Sequence, residues 1–295
     1  MSNDLLTTAE LAGYLRLGER KIYDLVAKRE IPCTRVAGKW LFPRDLVDAW
    51  LRERTEGPTA GSTRITPPAI VAGSHDPLLE WAVRESGSGL AVLFDGSLDG
   101  LERFARRQAL ACGMHVIEGE SGGYNVQTVQ QRLPDQPVAL LEWAQREQGL
   151  IVAEGNPHQI AGIADLPGKR FVFRQSSAGS HVLLETLLAR GDIDQDRLLS
   201  CGDPARNETE VAMAVVDGRA DVGLGVASVA RQFRLEYLPI ARERYDLLVW
   251  RQSWFEPALQ ALANFIRRPL FKRKAEELGG YDLGGIGRVR YNGPE

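Results

Sequence analysis

Three places in this 295-residue sequence put serine at the expected start of a helix, within a few residues of a short strand-like run. Gly73-Ser74 follows residues 69–72, Gly96-Ser97 follows 90–94, and Ser176-Ser177-Ala178-Gly179-Ser180 follows 170–173. Hydroxyls beside glycine at such positions combine neutral donors, free backbone N–H groups and the positive end of a helix dipole. That is chemistry for holding a small, desolvated oxyanion. Serine is also a favoured N-cap, so each one singly reads equally well as a cap; the three together favour a ligand site. His75, His115 and Asn125 fall at or near strands of the same region and read first as structural residues, second as extensions of the pocket.

Nothing in the sequence singles out a catalytic group. There is no G-x-S-x-G, Walker A, H-E-x-x-H or Cys-x-x-Cys, and the four His and three Cys (Cys33, Cys112, Cys201) lack metal-ligand spacing. The expectation is therefore a binding protein with no catalytic residue, no metal and no cofactor. Gly223-Leu224-Gly225 has the start of a dinucleotide fingerprint, with Glu243 about twenty residues on, but Ser228 replaces the third glycine, so the run reads as close packing.

The elements that must position these serines alternate. Apolar strands are expected at 69–72, 90–94, 114–117, 170–173, 198–200 and 221–224. Amphipathic helices fall between them, from about Asp76, through Leu101, Phe104 and Ala105, and at 180–189, 208–216 and 226–232. Such alternation implies α/β architecture with parallel sheets, and ligands sit at the carboxyl ends of those strands. The glycine-rich stretch 279–295 reads as a loosely ordered tail.

The first fifty residues differ in kind. Thr7 and Glu10 have capping-box spacing before a short helix ending near Gly18. A second helix, 19–28, buries Ile22, Leu25 and Val26 and turns Arg20, Lys21, Tyr23 and Asp24 outward. A hairpin follows, with its turn at Ala37-Gly38, and then a third helix opens at Pro43-Arg44-Asp45. Residues 1–64 carry eleven Lys/Arg against nine Asp/Glu, and the remainder 25 against 30: a mildly basic module on an acidic body. Residues 55–68, rich in Gly, Pro and Thr, read as a linker. The expected domains are thus 1–54 for the small module and 69–295 for the body, with a second lobe at about 155–243.

Helix, turn, helix, hairpin wing and closing helix is a winged helix-turn-helix order, and TTAELAGYLRLGERKIYDLVAKREIPCTRVAGKWLFPRDLVDAWL resembles the excisionase/MerR-like DNA-binding module. The resemblance implies that the second helix enters the major groove with Arg20, Lys21 and Tyr23, and that Arg35, Lys39 and Trp40 are wing contacts. One such unit neutralises few phosphates, so a homodimer or higher even oligomer on paired half-sites of double-stranded DNA is expected. GSHDPLLE, LFDGSLDGL, GLIVAEGNPHQIAGIADLPGKRFVFRQ and VAMAVVDGRADVGLGVASVA resemble the periplasmic-binding-protein-like domain of bacterial regulators, which also occurs in molybdopterin-associated proteins. The resemblance implies a bilobed type II domain whose cleft takes a small anion of the molybdate or tungstate kind. By that analogy Ser74 and Ser97 line one lobe, Arg174, Ser176, Ser177 and Ser180 the other, and Tyr245 serves from near the hinge. His181 stands where arginine is usual, which removes a permanent cation and leaves a larger molecule, such as a molybdenum-cofactor intermediate or an organic acid, as an alternative.

The implied function is a ligand-responsive transcription regulator. The other reading is a solute-binding or molybdenum-cofactor accessory protein with the N-terminal module as an adaptor. No apolar run approaches a membrane span, and MSNDLLTTAEL lacks a signal-peptide pattern, so a cytoplasmic protein without a membrane partner is expected.

Overall fold

The computed structural model describes residues 5–54, 66–119 and 122–294. The chain forms two compact units, Met1–Ile65 and Thr66–Glu295. Most of the expected linker, 55–65, lies outside the described residues.

In the first unit, β1 (Leu5–Thr7) leads into α1 (Thr8–Leu15), α2 (Glu19–Ala27), β2 (Thr34–Val36), β3 (Lys39–Pro43) and α3 (Arg44–Glu53). The capping box forms: Thr7 Oγ1 accepts from the Glu10 amide, and the Thr7 amide donates to Glu10 Oε2 at 2.8 Å. Both central residues of the wing turn, Ala37 and Gly38, have positive φ, the twist that two-residue hairpins favour. Strand β3 pairs on both edges, with β1 and with β2, making a three-stranded sheet. Leu11, Ile22, Leu25, Ile31, Phe42 and Val47 bury a small core that fixes α2 against the other elements.

The second unit is α/β throughout. Its first lobe holds β4 (Ile70–Gly73), α4 (Pro77–Glu85), β5 (Ala91–Phe94), α5 (Ser97–Ala105), β6 (Ala111–Met114), the bridge pair β7 (Ile117–Glu118) and β8 (Gly123–Tyr124), and α6 (Val126–Arg132). The long strand β9 (Val138–Val152) crosses to the second lobe. That lobe comprises β10 (Arg170–Val172), α7 (Gly179–Arg190), β11 (Leu199–Ser200), α8 (Glu208–Val216), β12 (Val222–Val226) and α9 (Ala227–Gln232). Strand β13 (Glu236–Trp250) returns to the first lobe, followed by α10 (Pro257–Phe265), α11 (Pro269–Leu278), β14 (Tyr281–Asp282) and β15 (Val289–Asn292).

The sheet order is β11-β10-β12-β9-β13-β6-β4-β5. The end portions are parallel, while β9 and β13 pair antiparallel along nearly their whole length. Register shifts at Pro239/Ala241 and Tyr245/Asp246 bend β13 where it passes between lobes. Separate apolar clusters fill the two lobes, one set around Leu78, Leu79 and Trp143, another around Leu150, Phe171 and Leu224.

Two expectations need correction. The third strand is β6 at 111–114, not 114–117: Ala-Cys-Gly-Met has little strand character of its own, and pairing with β4 and β13 fixes it. The stretch after 278 is not a loose tail. Strands β14 and β15 pair with the half of β9 that β12 leaves unpaired, so edge demand orders a segment whose composition reads as disorder.

Candidate ligand cleft and DNA-facing surface

In the second unit, the loops after β4 and β6 carry Ser74 and His115, Ser97 opens α5 after β5, and the loops after β10, β11 and β12 lead to α7, α8 and α9. Glycine permits the close approach at the first loop: Gly73 has φ +114°, and a Cβ there would sit 2.1 Å from the Gly113 carbonyl oxygen. The two lobes touch through the loops that the serine pattern marks. The Leu98 amide donates to the Ser177 carbonyl at 3.1 Å, Ser177 Oγ donates to Asp99 Oδ2 at 2.8 Å, and Gly179 abuts the His115 ring.

The predicted ligand residues separate into groups. Ser74 is buried, with Oγ 2.8 Å from His115 Nε2 and its carbonyl accepting from the Tyr245 hydroxyl at 2.6 Å. Ser97 is fully buried, and its Oγ accepts from the His115 amide at 3.3 Å. Tyr245 therefore belongs to the first-lobe core, its ring stacked 5.8 Å from His115. These three cluster around one histidine that sequence reasoning treated as a structural residue. Arg174, Ser176 and His181 instead line a cavity of about 630 Å³ at the carboxyl ends of β10 and β11. There Arg174 Nη1 bonds Glu208 Oε1 at 3.0 Å and its other nitrogens donate to the Ala205 and Arg206 carbonyls. His181 Nε2 is paired with Glu185 at 3.3 Å. Ser180 is buried at the start of α7, and its hydroxyl has no partner.

The charged centre between the lobes was not anticipated. Arg146 on β9 is fully buried between Asp76 (2.9 Å) and Glu243, and its guanidinium lies over the Tyr245 ring. Glu243 also accepts from His115 Nδ1 at 2.7 Å and from Gln148 Nε2 at 3.0 Å. Burial pushes the Glu243 carboxyl up, but Arg146 and His115 outweigh it and hold the group at about 2. Asp76, the N-cap of α4, accepts in addition from Trp143 Nε1 and Tyr281. Asp246 behaves oppositely: burial raises it to about 6 against the pull of Arg244 and of Asn125, which donates to it at 2.7 Å. Asn125 is thus structural, and His75 pairs with Glu80 at 3.1 Å. The available signal was the run of polar residues Gln145 to Gln148, preceded by Glu142, inside a strand that is apolar at both ends.

In the first unit, Arg20, Lys21 and Tyr23 are exposed on α2, and Arg35 and Lys39 on the wing. Trp40 is half-buried, with the Arg35 guanidinium 5.3 Å above its ring. One guanidinium and one ammonium group per face, with an aromatic on each, form a surface suited to phosphate and groove contacts.

Comparison with known proteins agrees with both units. A PBP superfamily domain model matches residues 79–267, and a helix-turn-helix domain model matches residues 5–55. The uncharacterized protein YvgK of Bacillus subtilis (strain 168) is 27% identical over 302 aligned positions, covering 96% of each chain. An uncharacterized Clostridium pasteurianum protein, from the 5′ region of a ferredoxin 2Fe-2S gene, is 32% identical over 80 residues, 27% of this chain and 71% of that one. Among solved structures, an H2O2-bound cysteine-to-serine mutant of Corynebacterium glutamicum OxyR superposes with a TM-score of 0.50 at 13% identity, covering 92% and 89% of the two chains. The sulfate-binding protein SubI of Mycobacterium tuberculosis H37Rv gives 0.50 at 14%, covering 72% and 84%. These two likenesses concern the fold alone.

Proposed function

This chain belongs to the PBP superfamily and carries a helix-turn-helix domain ahead of that fold, and we propose that it is a ligand-responsive DNA-binding regulator. The observation that carries the reading is the union in one chain of an exposed basic recognition face with a bilobed domain whose lobes meet through the loops at its strand ends. A ligand that binds the closed lobes more tightly than the open ones shifts that equilibrium, and only such a differential acts as a signal. Arg20, Lys21 and Tyr23 would read the major groove and Arg35, Lys39 and Trp40 the wing side, with two copies of the chain on paired half-sites.

The finer expectation of a molybdate- or tungstate-like oxyanion depends on free hydroxyls. Ser74 and Ser97 are engaged with His115, and the buried arginines Arg146 and Arg174 already face carboxylates. We therefore propose a small polar effector without requiring it to be an anion, and a binding role rather than a catalytic one. Electrophoretic mobility shift with DNA from upstream of the chain's own gene tests the regulator reading. Salt-dependent binding that Arg20→Ala with Lys21→Ala weakens is expected; binding indifferent to both changes and to salt would refute it.

A further inference from the structure

Nine buried side-chain nitrogen or oxygen atoms among the described residues have no hydrogen-bond partner, and five of them belong to Gln175, Ser180, His181, Glu208 and Ser228. Those five residues sit in the segments that follow β10, β11 and β12, at the end of the second lobe where α7, α8 and α9 begin. Three more, on Glu142, Gln148 and Tyr237, belong to the crossover strands, and the ninth is on His75. Folded proteins satisfy nearly all such atoms, so a concentration at one end of one lobe asks for a ligand.

Two of these atoms share a floor. Gly149 on β9 pairs with Gly225 on β12. A Cβ on Gly225 would lie 2.6 Å from Glu208 Oε2, and a Cβ on Gly149 would lie 2.6 Å from Tyr237 Cζ. Paired positions across a sheet stand about 5 Å apart, so the carboxylate and the phenol ring lie side by side over the two glycines, with Ile151 Cδ1 and the Leu238 carbonyl beside them. Glu208 Oε2 and the Tyr237 oxygen do not bond each other, and neither has another partner. Glu208 is fully buried; its Oε1 takes Arg174, and its Oε2 takes nothing. A buried carboxylate oxygen left without a donor is costly unless something supplies one.

The surroundings give the sign of what fits. The Tyr237 phenol is pushed well above its ordinary range, first by burial and then by Glu147, Glu243 and Glu208, with Arg146 alone opposing. An oxyanion placed here would meet the lone pairs of Glu208; a donor would satisfy them. On the reading of this domain as an effector-binding domain, we propose that its effector is a small organic cation (an amine, amidinium or guanidinium) whose N–H groups donate to Glu208 Oε2 and the Tyr237 oxygen over the Gly149–Gly225 pair.

The test is thermal denaturation and titration calorimetry of the full chain with agmatine, 1,4-diaminobutane, molybdate and sulfate, each up to about 10 mM. At least one of the two cations should raise the transition by several degrees. Glu208→Gln should weaken that cation at least tenfold, by about 1.4 kcal/mol or more, while the glutamine oxygen continues to accept from Arg174. Tyr237→Phe, which keeps the ring over Gly149, should weaken it several-fold and serves if Glu208→Gln does not fold. Stabilisation by the oxyanions alone, no stabilisation by either cation, or cation binding unchanged in both variants overturns the proposal. The mobility shift described above is independent of these outcomes. Cation binding that depends on Glu208 without any DNA binding would refute the regulator and leave the ligand class standing.

Discussion

Replacing Glu243 by glutamine removes one charge from the centre of the second unit while keeping the side chain's shape. The carboxylate accepts from Arg146, His115 Nδ1 (2.7 Å) and Gln148 Nε2 (3.0 Å) with no exposure to solvent. Held at about 2 against an ordinary 4.5, it contributes about 3 kcal/mol to stability at neutral pH, at 1.36 kcal/mol per unit. Breaking a buried pair by neutralising one partner costs about 3–5 kcal/mol, so two independent routes give the same size. For a domain of this size each kcal/mol lowers the midpoint by roughly 2–4 °C, so Glu243→Gln should lose about 6–12 °C at pH 7. The pH dependence has a fixed sign. A depressed carboxylate stabilises above its unfolded value and loses that contribution as pH falls through its folded value, so the gap between wild type and variant should close between about pH 4.5 and pH 2. Urea unfolding across pH 2–7 measures both quantities. A loss under about 1 kcal/mol at pH 7, or a gap that does not narrow on acidification, would show that Glu243 is not the charge holding Arg146 and His115 in place.

Three further outcomes are expected. Arg20→Ala with Lys21→Ala should reduce the slope of log affinity against log salt by about 2, since each cation brought into the groove neutralises about one phosphate; an unchanged slope would move the DNA contacts elsewhere. Gly73→Ala should destabilise the second unit by several kcal/mol or prevent its folding, because φ +114° and a 2.1 Å approach to Gly113 leave no room for a methyl group; a soluble variant with a wild-type melting curve would contradict the geometry. Phe42→Ala, at the centre of the first unit's core, should cost about 3–5 kcal/mol. Calorimetry should show that loss in the transition of the first unit, with that of the second unmoved.

Local chemistry was legible in the sequence, and long-range chemistry was not. The capping box at Thr7 and Glu10, the outward face of α2 and the turn at Ala37-Gly38 all depend on residues within four positions of one another, and all appear where expected. The alternation that implied an α/β body likewise needs only nearest elements. What the serines do depends on partners far along the chain. Ser74 meets a histidine 41 residues away, and that histidine meets a glutamate 128 residues further on. The Arg146 centre was hidden for a related reason: Asp76, Arg146 and Glu243 come from a loop and two different crossover strands, and their charges look like solvated faces until the strands pair. Strands β14 and β15 were missed because Gly-rich composition signals disorder, whereas an unpaired edge of β9 recruits whatever chain lies beside it.

The contacts between lobes set a scale for signalling. Two well-formed hydrogen bonds cross from the first lobe to the loop at Ser177, one to its carbonyl and one from its hydroxyl to Asp99. At about 1 kcal/mol net for a neutral bond and about 1.5–3 for one to a charged group, they hold the lobes together by only a few kcal/mol. Moving a two-state equilibrium from 1:99 to 99:1 needs about 5.5 kcal/mol, so these bonds bias closure without completing it and leave the remainder to the ligand. Ser177→Ala removes the charged bond and keeps the backbone one. It should open the free protein and weaken any effector about tenfold or more, while leaving the groups that touch the ligand intact. Small-angle scattering with and without effector reads the first change, calorimetry the second. If the variant binds as tightly as the wild type, the Ser177 contact is incidental to closure, and the differential on which signalling depends must arise at the strand ends themselves.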